Sequence, residues 1–329
     1  MTDPTVADDA LSAGAARRRM LAIVGPTAAG KTAAALALAD LFPVSLISLD
    51  SALVYRGLDI GTAKPSAEEQ RRHPHQLIDI RDPTEIYTVA DFVADADAAA
   101  RSALAAGRIP VLVGGSMLYL RAFRDGLAPL PPADPDIRAA LSAELSERGS
   151  DALHAELAAV DPQAASGIHP NNPQRLLRAL EVWRQSGRPL SSYWAMQGDT
   201  GVQQRLGMDL DVIAWTPEPR ARLHSRIETR LATMLDAGFV AEVESLRRRS
   251  DLHPDLPSLR TVGYRQIWDW LDRPTDHRQL RESILAATRQ LARRQLTWIR
   301  HLGGVEAAEP EQAFRLATTA LARATEALC

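Results

Sequence analysis

The run Gly25-Pro26-Thr27-Ala28-Ala29-Gly30-Lys31-Thr32 fits G-x-x-x-x-G-K-[ST] and constrains this chain more than any other feature. An apolar run, Met20 to Val24, enters it, and an Ala- and Leu-rich segment of helical character, Thr32 to Leu41, leaves it. That is the strand–loop–helix context a phosphate loop requires. In such a loop, successive backbone N–H groups and the helix N-terminus face phosphate oxygens, and the lysine adds a positive charge. Gly25, Pro26, Thr27, Ala28, Ala29, Gly30, Lys31 and Thr32 are therefore expected to bind a diphosphate, with the Thr32 hydroxyl a ligand for a Mg²⁺ cofactor. The motif is ATP-binding-like, but it does not itself identify the ligand as ATP.

The segments that follow alternate. Val44 to Leu49 reads as a second strand delivering Asp50, and Gln76 to Ile80 as a third. Thr88 is an N-cap for a helix reaching Ala106, with Val89, Phe92, Val93 and Ala96 on one face. Ile109 to Val113 is a buried parallel-type strand ending in Gly114-Gly115, with a helix from Ser116. This alternation predicts an α/β fold, a parallel sheet flanked by helices and carrying the P-loop. Pro129, Pro131, Pro132 and Pro135 then mark a linker, and Asp136 to about Ser192 is helical throughout. Residues 129–205 are thus expected to form an all-helical insertion. Asp211 to Trp215 rejoins the sheet, and Pro219 to His301 is helical. The core is expected at 20–128 and 206–305, with a disordered tail at 1–19 and a helical tail at 306–329.

The 329 residues are 46 % hydrophobic and 24 % charged, an ordinary globular balance. Cys329 is the single cysteine, which excludes an internal disulfide or thiolate cluster and suits a reducing cytoplasm. The apolar stretch after Arg17-Arg18-Arg19 is too short for a signal peptide, and no stretch approaches the ~20 apolar residues of a membrane span. Cytoplasmic localisation is expected. The net charge is −3, yet Arg260 to Arg300 holds nine arginines against four acids, a local excess of five. This reads either as a solvated helix face or as a nucleic-acid surface. Lys31 and Lys64 are the only lysines, so a compact ammonium is used sparingly in a chain rich in arginine.

P-loop phosphotransferases usually hold Mg²⁺ with a carboxylate at a strand end. The Ile109–Val113 run ends instead in Gly114-Gly115-Ser116. The best-placed acid is Asp50, because the C-terminal ends of parallel strands gather at the ligand crevice.

Further ordered segments are Asp50-Ser51-Ala52-Leu53-Val54-Tyr55, Asp59-Ile60-Gly61-Thr62-Ala63-Lys64-Pro65, His75-Gln76-Leu77-Ile78-Asp79 and Gly114-Gly115-Ser116-Met117-Leu118-Tyr119. Asn172 to Leu180 (NPQRLLRAL), Arg260-Thr261-Val262-Gly263-Tyr264-Arg265 and Thr288-Arg289-Gln290-Leu291 complete the series. With the phosphate loop, they make the chain resemble the tRNA dimethylallyltransferase (adenine N6-isopentenyltransferase) family over about residues 20 to 300. The resemblance implies a prenyltransferase that moves a dimethylallyl group from dimethylallyl diphosphate to N6 of the adenosine immediately 3′ of a tRNA anticodon, releasing diphosphate. It also implies a P-loop, nucleotide-kinase-like parallel-sheet core carrying a helical insertion that meets the anticodon arm.

By that resemblance Asp50 is the base near N6, Ser116 stands where the family usually has threonine, and Arg230 reaches the diphosphate. The adenine-side wall is Asp50, Ser51, Ala52 and Leu53, with Ser116. The tRNA anticodon stem-loop is expected to meet Arg138, the segment Gln174, Arg175, Leu176, Leu177 and Arg178, and the segment Arg260, Thr261, Val262, Gly263, Tyr264 and Arg265. The six tryptophans are expected to be core or interface anchors. The enzyme is expected to work as a monomer away from membranes. Three other readings are weighed beside this one: a small-molecule kinase, a prenyltransferase acting on free adenine nucleotides, and a non-catalytic RNA-binding module. The last leaves Lys31, Thr32 and Asp50 unexplained.

Overall fold

The computed structural model describes residues 18–194, 196 and 200–328. Residues 1–17 of the tail expected at 1–19, and the cysteine at 329, lie outside them. The chain divides into two compact units, one of residues 18–124 and 205–328 and one of residues 125–204.

The larger unit is built on a six-stranded sheet in the order β3-β2-β4-β1-β5-β6, parallel at every pairing. Its strands are β1 (Arg18–Val24), β2 (Val44–Leu49), β3 (His75–Gln76), β4 (Ile109–Gly114), β5 (Met208–Trp215) and β6 (Val305–Ala308). The inner strands are near-continuous apolar runs because both faces of a parallel sheet are covered. Met20 to Val24 and Ile109 to Val113 are buried throughout. Helices α1 (Lys31–Ala39) and α3 (Val89–Ala105) cover it, while α2 (Ala67–Arg72) has no buried residue and α4 (Met117–Asp125) follows β4. Thr88 caps α3 with a reciprocal capping box to Asp91, as its position predicts.

Four bounds differ from the sequence reading. β1 begins at Arg18, and β5 begins at Met208 rather than Asp211, because Arg19 pairs with Asp211 (2.6 Å) and Asp209 across the two strands. Charged strand starts read as loop when the partner strand is unknown. The expected strand 76–80 is only His75–Gln76, since Leu77 and Asp79 take left-handed backbone angles (φ +64° and +58°) that end the extended run. The expected tail at 306–329 is not purely helical. It starts in β6, which extends the sheet beside β5, and continues in a helix over Pro310–Glu326 whose Ala313, Ala317, Ala320, Leu321 and Ala324 pack into the core with Leu21 and Ile213.

In the smaller unit, α5 (Pro135–Val160) turns at Gly149 (φ +79°) and is followed by α6 (Pro162–Gly167), α7 (Pro173–Ser186) and α8 (Leu190–Trp194). Its own core gathers Leu141, Leu153, Leu157, Leu176 and Leu180. The chain passes from the smaller unit to the larger within α9 (Val202–Leu206), which precedes β5. Next come α10 (Arg220–Asp236), α11 (Phe239–Arg247), α12 (Tyr264–Asp272) and α13 (His277–His301), with α14 (Pro310–Glu326) last. Among the described residues no helix is long and apolar enough to cross a membrane.

Candidate active site

Three strand ends meet at one edge of the sheet. β1 runs into the phosphate loop, β2 delivers Asp50, and β4 ends at Gly114, followed by Gly115 and Ser116. The loop turns into α1 at Gly30, whose φ of +96° suits a residue without a side chain. The first intrahelical bond of α1 runs from the Ala34 N–H to Gly30 O (3.1 Å), so the Lys31 and Thr32 amides precede it at the helix N-terminus. Two amides expected to face phosphate are already engaged. Ala29 N–H donates to Pro26 O (3.2 Å), and Thr27 N–H donates to the side-chain oxygen of Gln295 on α13 (2.9 Å). The anion grip therefore narrows to the amides nearer the helix and to Lys31.

Lys31 Nζ donates to Pro26 O at 2.8 Å. Burial pulls its pKa down to about 8; the Asp50 carboxylate opposes that shift and the Arg230 guanidinium adds to it. Arg230, on α10, is also pushed down by burial and supported by Asp50, and its Nη2 donates to Thr62 O at 3.1 Å. One acid and two cations thus share a low-dielectric region. Asp50 is held in turn by the Ala52 N–H on Oδ1 (2.9 Å). Ser116 Oγ accepts from the Ser51 N–H (3.0 Å), joining the end of β4 to the turn that carries Asp50.

Lys31, Asp50 and Arg230 line a cavity of about 170 Å³. Thr27 and Thr32 add polar groups to its lining, and Ile227, Leu231, Met234, Phe239, Ile284 and Leu291 supply an apolar part. Ile227, Leu231 and Met234 form one stripe on α10, and Ile284, Thr288, Leu291 and Gln295 form another on α13. Beside the cavity lies a wider groove of about 660 Å³ that includes Ser51, Ser116, Leu118, Arg260, Arg294 and Trp298. Asp50, Ala52, Gly115, Thr261, Val262, Leu291 and Gln295 border both spaces. An anion can sit on the helix N-terminus while a flat acceptor enters from the groove, and Asp50 faces both.

The loop Asp59–Lys64 forms part of the cavity wall and is tied down twice. Lys64 Nζ contacts Asp59 and Asp79 (2.5 Å each) and Tyr55 O (3.0 Å). The Glu242 carboxylate on α11 accepts from the amides of Asp59, Ile60 and Gly61 (2.7–3.2 Å) and from the Tyr264 hydroxyl. The second lysine is therefore a loop anchor. Sequence reasoning missed Glu242 and Gln295; a signal for the latter was its place on the stripe that begins at Ile284.

The expected RNA-contacting residues divide. Ser51, Arg260, Thr261 and Val262 line the groove or the shared wall, and Leu53 faces the cavity. Arg265 is exposed beside Asp269. Tyr264 is fully buried with its hydroxyl on Glu242, and Gly263 is buried as well, so neither side presents a face to RNA. In the helical unit Gln174 and Arg175 are exposed at the start of α7. Leu176 and Leu177 are core residues there, on the apolar face that α7 turns toward Leu141, Leu153 and Leu157. Arg138 and Arg178 both pair with the fully buried Glu181, and Arg178 also donates to Pro131 O (2.6 Å), while the two guanidinium side chains stay partly exposed (39 % and 25 %). Trp298, expected to be an anchor, lines the groove, whereas Trp215 and Trp268 are buried. Among the described residues no cluster of three or more His, Cys, Asp or Glu could hold a metal by itself.

A model of the family described as IPP transferase matches residues 53–302. A tRNA dimethylallyltransferase of Methylibium petroleiphilum is 55 % identical over 291 residues, 88 % of either chain. Another from Paracidovorax citrulli is 54 % identical over 294 residues, 86 % of this chain and 83 % of that one. The crystal structure of a tRNA isopentenylpyrophosphate transferase from Bacillus halodurans superposes with a TM-score of 0.67 at 35 % identity, covering 94 % of this chain and 97 % of the other.

Proposed function

Because the chain belongs to the IPP transferase family, we propose that it transfers a dimethylallyl group from dimethylallyl diphosphate to N6 of the adenosine immediately 3′ of the anticodon in tRNA. The observation that carries the reading is the meeting of Asp50, Lys31 and Arg230 in one cavity, with Asp50 also bordering the groove. The adenine N6 attacks C1 of the allyl group, the C1–O bond to diphosphate breaks, and the N6 proton passes to Asp50. Charge grows on the departing diphosphate, and Lys31, Arg230 and the amides at the start of α1 are set in place to receive it. The apolar wall formed by Leu231, Met234, Phe239 and Leu291 suits a short hydrocarbon and keeps water from the allylic centre.

Thr32 and Asp50 are oxygen donors beside the phosphate site, which fits Mg²⁺ held mainly by substrate phosphates and water. When bound, that ion would neutralise charge on the diphosphate. Turning the adenine out of the loop stack costs a few kcal/mol, least in an unpaired loop. The groove beside Asp50, with Arg260, Arg294 and Trp298, supplies guanidinium and aromatic faces of the kind that hold splayed bases. We place this work in the cytoplasm, performed by a monomer.

The test incubates the protein with Mg²⁺, dimethylallyl diphosphate and either tRNA or free AMP, ADP and ATP. N6-prenylated adenosine in the tRNA is expected. Turnover of the free nucleotides with unmodified tRNA would sink the assignment.

A further inference from the structure

A one-step displacement depends on the distance and angle between the acceptor nitrogen and the leaving oxygen. In this fold those atoms are governed by two separate pieces of backbone, the phosphate loop after β1 and the Gly115-Ser116 segment after β4. Gln295 hydrogen-bonds to both. Its Oε1 accepts from the Thr27 N–H at 2.9 Å, and its Nε2 donates to Gly115 O at 3.0 Å. The amide orientation is fixed by these partners, since the reverse would set donor against donor and acceptor against acceptor. The fit is close from the other side as well, because a Cβ on Gly115 would run into Gln295 Nε2. Gln295 also lies on the wall shared by the cavity and the groove. Next to it Ser116 ties β4 to the turn of Asp50 through the Ser51 N–H.

On the transferase reading above, we infer that Gln295 is a positioning residue that sets the phosphate loop against the end of β4. It thereby aligns the diphosphate with the attacking adenine. Its contribution lies in geometry, so its loss acts on the chemical step more than on tRNA affinity. A misplacement of about 1 Å costs on the order of 100-fold in rate.

The experiment measures kcat, the KM for each substrate and tRNA affinity with the full chain, Mg²⁺, dimethylallyl diphosphate and tRNA. It compares Gln295→Met, Gly115→Ala and the double variant, with thermal melting to follow folding. Gln295→Met keeps the length and loses both hydrogen bonds; Gly115→Ala presses on the same contact from the strand side. Expected are a fall in kcat of roughly 30- to 100-fold for Gln295→Met and tRNA affinity within about twofold of the parent. The double variant should be no slower than the slower single one, because both changes break one contact. An unchanged kcat, fully additive losses, or weakened tRNA binding with kcat intact at saturation would overturn the inference. Failure of both single variants to fold would make the bridge purely structural and overturn it equally. A parent protein that prenylates no tRNA would remove the transferase reading itself, a result separate from any of these.

Discussion

Burial of the Lys31 ammonium lowers its pKa to about 8 from an ordinary value of 10.5, with Asp50 opposing the shift and Arg230 adding to it. Between those two values the unfolded chain holds the proton more firmly than the folded one, so this group makes stability rise with pH across that window. Lys31→Met should accordingly raise the melting temperature near pH 7, measured by thermal denaturation, while lowering kcat/KM for the donor by about 10²- to 10³-fold. In the parent protein the donor KM should climb above about pH 8 as the ammonium discharges. A flat donor KM from pH 7 to pH 9.5 would detach Lys31 from the diphosphate. Asp50→Ala should keep tRNA affinity and lower kcat by about 10²- to 10⁴-fold, read in single-turnover assays; full activity would remove it as the base. Lys31 and Asp50 were legible because a loop motif and a strand end each fix a place in space. The burial of Leu177 and Tyr264 was not, because a residue's position in a motif does not tell which side of its helix or turn faces the interior.

Among elements, the loop Asp59–Lys64 shows how a wall residue is held by groups that never meet substrate. Glu242 accepts from three successive amides, and the same loop presents Thr62 O to Arg230. Glu242→Ala should destabilise the fold by roughly 1.5–3 kcal/mol, the scale for hydrogen bonds to a charged group. It should also raise the donor KM by releasing Arg230 from its anchor; a melting shift with unchanged donor kinetics would limit Glu242 to a structural role. The sequence carries no sign of this tie, since Glu242 is 181 residues from Gly61. The strands β1, β2 and β4 were readable because runs such as Ile109 to Val113 are buried on both faces. β6 was not: Val305-Glu306-Ala307-Ala308 has neither an apolar run nor a clear alternation, and its extended form comes from pairing with β5.

At the scale of the molecule, the C-terminal segment completes the sheet and covers it. Ala313, Ala317, Ala320 and Leu321 are nearly or fully buried against the core that includes Leu21 and Ile213. A chain ending at Gly304 should therefore fail to fold cooperatively, as judged by loss of a sharp melting transition, whereas a disposable tail would leave the transition in place. The arginine-rich stretch from Arg260 to Arg300 is divided in the same way by packing. Arg260 and Arg294 line the groove, while Arg289 pairs with Glu228 of α10.

The bond between Thr27 and Gln295 spans 268 positions of the chain, and this separation has a consequence for synthesis. A ribosome adding ~5–20 residues per second finishes the phosphate loop long before it makes the helix that steadies it. The interval is roughly a quarter of a minute to a minute at that speed. The loop Gly25–Thr32 is therefore made early, but its tie to the end of β4 through Gln295 waits for α13.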